Sequence, residues 1–235
     1  MSAPSFAIED GVPVLRFPDD RRLRLDFADS RYHRKLRGKN ELLAKAVGIK
    51  TLPTAPRVWD LSLGLAEDAW TLARLGCDLW GFERQPLLAQ LVEASLQEYR
   101  MRVEPGTHWD ESAARLHVNA ASARDVLLAL RDGTSAFPRP GALYFDPMYE
   151  GTGKSSALPR LEMQLLRGWV GTDDDQAEVL ALARSIPGMR VVVKRAVKAP
   201  ALGGAPTHAF VGEKVRYDMY QNTVTAAGAT DTEAP

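Results

Sequence analysis

An apolar run, Gly141-Ala142-Leu143-Tyr144-Phe145, ends in Asp146-Pro147-Met148-Tyr149, four residues whose types and order can do chemistry together. Asp146 supplies a hydrogen-bond acceptor, and Pro147 fixes the turn, which leaves the Met148 carbonyl as a second acceptor. Tyr149 adds a flat stacking surface. A buried strand that stops there can hold a planar amine at the edge of a sheet. An exocyclic or amide nitrogen is a weak nucleophile, so acceptors must take its protons while the nitrogen is turned toward an electrophile. The alternative for Tyr149 is a core aromatic that closes the strand.

Other strand ends should supply the electrophile. In a doubly wound sheet the ligand lies beyond the carboxyl ends of the strands, near the switch point. After the first strand of the main domain comes Asp60-Leu61-Ser62-Leu63-Gly64-Leu65-Ala66-Glu67-Asp68, in which Gly64 permits a tight turn and close backbone approach. Glu83 follows the second strand, about twenty residues beyond that turn, where a carboxylate can accept from both hydroxyls of a ribose. Ala121, Ser122 and Ala123, small enough to flank an adenine ring, follow the third. A ribose-binding acid fits a nicotinamide dinucleotide or S-adenosylmethionine. The dinucleotide needs a full G-x-G-x-x-G turn for its pyrophosphate, whereas Gly64 stands without the others, so S-adenosylmethionine fits better.

The elements that must position these residues alternate. Strands are expected at 58–63, 78–83, 115–119, 141–145 and 189–194, with helices at 66–75, 86–99, 122–130, 161–169 and 174–184. Pro86 sits where a helix can begin, and Gly76 where one ends. The segments 208–211 and 215–220, separated by Gly212-Glu213-Lys214, read as a hairpin. This is an α/β chain: a Rossmann-like, seven-stranded, mostly parallel sheet with helices on both faces and a C-terminal antiparallel hairpin. Residues 1–50 read as an N-terminal arm and basic helical extension, 51–222 as the main domain, and 223–235 as a disordered tail. The first twenty residues lack helical periodicity and suit a short strand or irregular arm.

The chain has 235 residues, 45% hydrophobic and 26% charged, with zero formal net charge, as an ordinary globular domain does. It has neither an apolar run of membrane-spanning length nor a signal-peptide pattern at its start, which places it in the cytoplasm by expectation. The single cysteine, Cys77, excludes an intrachain disulfide framework and a multi-cysteine zinc site, and is expected to be a small buried hydrophobe. Charge is unevenly spread. From Arg21 to Lys50 ten Lys or Arg stand against three acids, about +7, and the remainder carries about −7. Such a segment is either a nucleic-acid footprint or a solvated face. Arg31, His33, Arg34, Lys35 and Arg37 lie in it; Lys154, Arg160, Lys194, Arg195 and Lys198 fall on or after strand ends on the ligand side, where phosphates can be held. Trp59, Trp70, Trp80 and Trp169 read as packing residues. Asp173-Asp174-Asp175 reads as helix-start acids and not as a metal site; no metal is expected.

From about Leu25 to Tyr220 the chain resembles the class I S-adenosylmethionine-dependent methyltransferases and, more narrowly, the ribosomal small subunit methyltransferase J family. The resemblance rests on His33-Arg34-Lys35, Ala44 to Lys50, Asp60 to Ala69, Glu83-Arg84 with Pro86, and Tyr144 to Tyr149. Lys154 with Ser156-Ala157-Leu158, Glu162-Met163, Val191 to Arg195, and Arg216-Tyr217-Asp218 with Tyr220 extend it. It implies methylation of the exocyclic N2 of a guanosine near the 3′ end of 16S rRNA, with 16S rRNA or the small subunit as partner. It places cofactor contacts on Glu67, Asp68, Glu83, Arg84, Ser122, Ala123 and Asp146. The family's first turn reads G-L-G-R-D-A, whereas this chain has Gly64-Leu65-Ala66-Glu67-Asp68-Ala69. Ala66 is therefore expected to put a methyl group where the backbone approaches the cofactor. Ala123 replaces a serine, and Ala196 a proline. Within the same fold, N6-adenine and glutamine-amide methylation use a similar clamp, and a silent RNA-binding module remains a further alternative.

Overall fold

The computed structural model describes residues 3–33, 39–49, 56–147, 165, 168–169 and 175–222. Expectations for Arg34, Lys35, Arg37, the 51–55 part of the linker, Met148, Tyr149, Lys154, Arg160, most of the 161–169 helix, Asp173, Asp174 and the 223–235 tail lie outside the described residues.

The chain opens with three antiparallel strands, β1 (Ser5–Glu9), β2 (Val12–Arg16) and β3 (Arg22–Arg24), where a short strand or irregular arm was expected. The turn that builds the first hairpin is Asp10-Gly11, with φ 51° and 78°. A two-residue turn of this kind matches the twist of its flanking strands. Strand alternation sends Leu15 and Leu23 into the core and leaves Arg16, Arg22 and Arg24 outside, paired with Glu9. Helix α1 (Lys39–Val47) follows and stops at Gly48, whose φ of 92° closes it as the sequence leads one to expect.

The main sheet then builds in order: β4 (Arg57–Asp60), α2 (Glu67–Arg74), β5 (Asp78–Glu83), α3 (Pro86–Arg102), α4 (His108–Ala114), β6 (Leu116–Ala120), α5 (Ala123–Arg131), β7 (Ala142–Phe145), α6 (Gln176–Ser185), β8 (Arg190–Ala196), β9 (His208–Val211) and β10 (Val215–Gln221). Two details differ from the sequence reading. Strand β4 stops at Asp60 because the chain turns back, Ser62 N donating to the Asp60 carboxylate at 3.0 Å. Helix α4 is an addition; Thr107 caps it by accepting from Asp110 N at 3.3 Å.

Seven strands lie in the order β6-β5-β4-β7-β8-β10-β9. The pairs from β6 to β8 are parallel, while β10 runs antiparallel to both β8 and β9. The chain winds outward from β4 through β5 to β6, then returns to β7 on the other side of β4. That reversal is the switch point, so the ends of β4 and β7 stand side by side. One face of the sheet is packed by Trp70 and Leu72 of α2 and Leu88 and Leu91 of α3, the other by Val126 and Leu127 of α5 and Val179 and Leu180 of α6. Leu15, Leu23, Phe27 and Tyr32 of the N-terminal segment join the first of these cores. Among the described residues no helix is long and apolar enough to cross a membrane.

Candidate active site

Because β4 and β7 are neighbours, their carboxylates converge. Asp60 closes β4 and is only 2% exposed. Burial pushes its carboxyl up to about 8, the charges of Asp68 and Asp146 add to this, and the Ser62 N–H and Lys194 only partly offset it. Asp146 follows β7, and its own N–H donates to Ser62 Oγ at 2.7 Å, which ties the two strand ends together. The Asp146 side chain is 39% exposed and therefore reachable by substrate.

Lys194 on β8 completes the group. Its Nζ lies 2.6 Å from Asp68 Oδ2 and 2.8 Å from Asp146 Oδ2. Burial pulls this ammonium down, but the charges of Asp146 and Asp68 overcome it, so Lys194 stays protonated well above the usual lysine range. Tyr144 donates its hydroxyl to the same Asp68 Oδ2 at 2.6 Å; burial, then Asp68 and Asp146, hold the phenol protonated. Tyr217, paired with Lys194 across β8 and β10, is raised by burial as well. Asp68 and Asp146 thus share one ammonium, with Asp60 buried beside them and protonated below about pH 8.

The turn after β4 is held through its backbone. Gly64, at φ 52°, donates its N–H to Glu83 Oε2 at 3.1 Å, and Gln85 N donates to Glu83 Oε1 at 2.8 Å. Both oxygens of Glu83, at the end of β5, are thereby fixed in direction. A Cβ on Gly64 would meet Ser62 O at 3.8 Å, an ordinary contact, so it is the positive φ and not crowding that calls for glycine there. Ala66 caps α2 in the left-handed region, φ 59° and ψ 22°, and its N–H donates to Leu63 O at 2.8 Å. The expected steric bump is corrected here: Ala66 is fully buried, and its methyl belongs to the core. The consequence of alanine at this position is backbone strain, because Cβ crowds a carbonyl oxygen in that region.

The remaining sequence candidates divide. Ser122 caps α5, accepting from Asp125 N at 3.2 Å, with Ala123 beside it, and Ala121 N donates to Glu83 O at 3.0 Å, so this pair borders the Glu83 strand end. Glu67 is exposed on the first turn of α2. Arg84 is exposed and lies 3.8 Å from Asp175, the residue preceding α6. Two residues read as phosphate holders have other surroundings: Lys194 is inside the acid group, and Arg195 is 5% exposed with its guanidinium donating to Pro200 O. Arg31 pairs with Asp29 at 3.2 Å, while His33 packs on Trp109 at 4.2 Å with Nε2 at 2.8 Å from Phe27 O. Cys77 is buried, and burial raises its thiol to about 12, too high for a nucleophilic thiolate at neutral pH. Sequence reasoning missed Ser62 and Tyr144 as members of the site. Ser62 lay in the turn and Tyr144 in an apolar run, with a hydroxyl that needs a buried partner as the available signal.

S-adenosylmethionine fits these residues. Its ribose requires an oriented carboxylate such as Glu83, the carboxylates of Asp68 and Asp146 outnumber the single Lys194 ammonium and so favour a cationic ligand, and Gly64 lets the turn backbone come close. Fold and site together define a class I S-adenosylmethionine-dependent methyltransferase. The SAM-dependent methyltransferase family matches residues 12–222. Within that class, the chain belongs to the ribosomal RNA small subunit methyltransferase J family. A relative of that name from Thioalkalivibrio sulfidiphilus is 39% identical over 183 residues, 77% of this chain and 68% of the relative. Another, from Pseudomonas paraeruginosa, is 39% identical over 218 residues, 90% of this chain and 79% of the relative. The crystal structure of a SAM-dependent methyltransferase from Neisseria gonorrhoeae superposes with a TM-score of 0.70 at 28% identity, covering 96% of this chain and 85% of that one.

Proposed function

We propose that the chain methylates the exocyclic N2 of a guanosine in 16S rRNA, with Asp146 as the acceptor that orients the amine. The observation that carries this reading is the reachable carboxylate of Asp146 at the switch point, its backbone N–H bonded to Ser62 Oγ and its Oδ2 held by Lys194. S-adenosylmethionine supplies an electrophilic methyl group when bound. The chain's own contribution is positioning: Glu83 and the Gly64 turn hold the donor, and Asp146 accepts a hydrogen from the amine so that its lone pair points at the methyl carbon. Pro147 sets the direction of the chain after β7. Met148 and Tyr149, outside the described residues, complete the clamp as second acceptor and stacking surface, and the base swings out of any helix to reach them.

Lys194 serves the clamp in this reading, not the RNA backbone. By engaging Asp146 Oδ2 and Asp68 Oδ2 together it keeps two neighbouring carboxylates from repelling one another and fixes the rotamer of Asp146. Substrate phosphates fall to the basic N-terminal segment, including Arg34, Lys35 and Arg37. The test is transfer of labelled methyl to 16S rRNA, DNA and protein in parallel, followed by mapping of modified nucleosides. Label in an N2-methylguanosine supports the proposal; label in adenine N6 or a glutamine amide refutes the substrate, and no transfer to any of them favours a silent RNA-binding module.

A further inference from the structure

Tyr32 lies between β3 and α1, far in sequence from the cofactor turn, yet it is bonded to that turn. Its hydroxyl donates to Leu65 O at 2.7 Å, and the side chain is almost fully buried. Its own carbonyl accepts from Trp70 Nε1 and from Arg74, each at 2.9 Å, so the residue is tied to α2 and the turn before it at three points. The ring packs against Phe27 at 4.8 Å.

The Leu65 carbonyl and the Ala66 N–H belong to one rigid peptide plane, so the direction of the first constrains φ of the second. With Leu65 O pointing at Tyr32, Ala66 is held at φ 59°, where alanine is disfavoured. Rotation of that plane would relieve the alanine but break its bond to Leu63 O and disturb the Gly64 N–H bond to Glu83. We propose that Tyr32 is a positioning residue for the S-adenosylmethionine turn: its hydroxyl holds the strained Leu65-Ala66 peptide in the shape that presents Gly64 and Glu83. The N-terminal segment is thereby part of the cofactor site. This rests on the assignment of the Gly64–Ala66 turn to the cofactor.

The test compares four proteins: the natural chain, Tyr32→Phe, Ala66→Gly and the double variant. Phenylalanine keeps the ring packing and removes only the hydroxyl. Calorimetry with S-adenosylmethionine is expected to show about tenfold weaker binding for Tyr32→Phe, the factor set by left-handed strain at alanine. In the Ala66→Gly background the same change is expected to cost about twofold or less, because glycine has no strain to relieve. Without cofactor, the Ala66 amide should exchange faster in Tyr32→Phe than in the natural chain. In turnover the loss should fall on KM for the cofactor and not on KM for RNA. Equal losses in the natural and Ala66→Gly backgrounds, or no loss at all, overturn the proposal. Failure of the natural chain itself to bind S-adenosylmethionine would instead overturn the assignment of the turn, and the proposal with it.

Discussion

Asp60→Asn removes a buried proton without removing its scaffold. An asparagine can still accept from Ser62 N through its oxygen, and its amide can stand where the neutral acid has its hydroxyl, so packing at the end of β4 is kept. Only the titration is lost. In the unfolded chain an aspartate ionises near 3.9, as model peptides do. In the folded chain burial raises Asp60 to about 8. Between those two pH values the folded state binds a proton that the unfolded state does not, so stability falls as pH rises from about 4 to about 8 and is level above that. At pH 7 this amounts to roughly 4 kcal/mol, and at pH 8 and beyond to on the order of 5 kcal/mol, from about 1.4 kcal/mol for each pH interval of one. Asp60→Asn is therefore expected to match the natural chain near pH 4 and to exceed it progressively up to pH 8. For a chain of this size the gain at pH 7 corresponds to roughly 10 °C in Tm. Denaturant unfolding across pH 4 to 9, with both proteins free of cofactor, measures the difference directly. Parallel stability curves would refute the reasoning, for they would mean that Asp60 titrates alike in the two states. A cationic cofactor near Asp60 should favour its ionised form, so S-adenosylmethionine affinity in the natural chain should rise with pH through that range, whereas in Asp60→Asn it should not.

Lys194→Met leaves Asp68 and Asp146 facing one another in a half-buried setting, so it is expected to lower stability by about 1–3 kcal/mol and to slow methyl transfer while leaving the salt dependence of RNA binding unchanged. Thermal melts, single-turnover rates and salt titrations check the three parts; a flatter salt slope would restore Lys194 to the RNA backbone. Asp146→Asn should reduce kcat by roughly 100-fold or more with a much smaller loss of S-adenosylmethionine affinity, measured by labelled transfer and calorimetry; preserved turnover would remove this carboxylate from the clamp. Reversing Arg34 and Lys35 to glutamate should weaken RNA binding and lower the slope of log affinity against log salt by about 1–2, and an unchanged slope would make this segment a solvated face.

The sequence determined much about this protein by itself. Strand–helix alternation, with Gly76 and Pro86 as punctuation, gave the parallel core and its hairpin edge, because period and chain-breaking residues are local properties. Asp146, Glu83 and Gly64 were legible as chemistry since each lies at, or within a few residues after, the end of a strand. The N-terminal sheet was less so: Asp10-Gly11 is a hairpin signal, but the flanking strands are short and one contains Pro13. Only tertiary structure decided which charges meet. Lys194 reads as a surface cation in sequence, and becomes the counter-ion of Asp68 and Asp146 because β8 lies beside β7 and β7 beside β4. Ala66 reads as a steric obstacle, and becomes a strained cap whose methyl lies in the core. The hydroxyl of Tyr32 reaches Leu65 across 33 positions of sequence, a distance that no local pattern encodes. Strand order and packing set these pairings, since a charge or a carbonyl takes its partner from what the fold puts within about 3 Å and not from its neighbours along the chain.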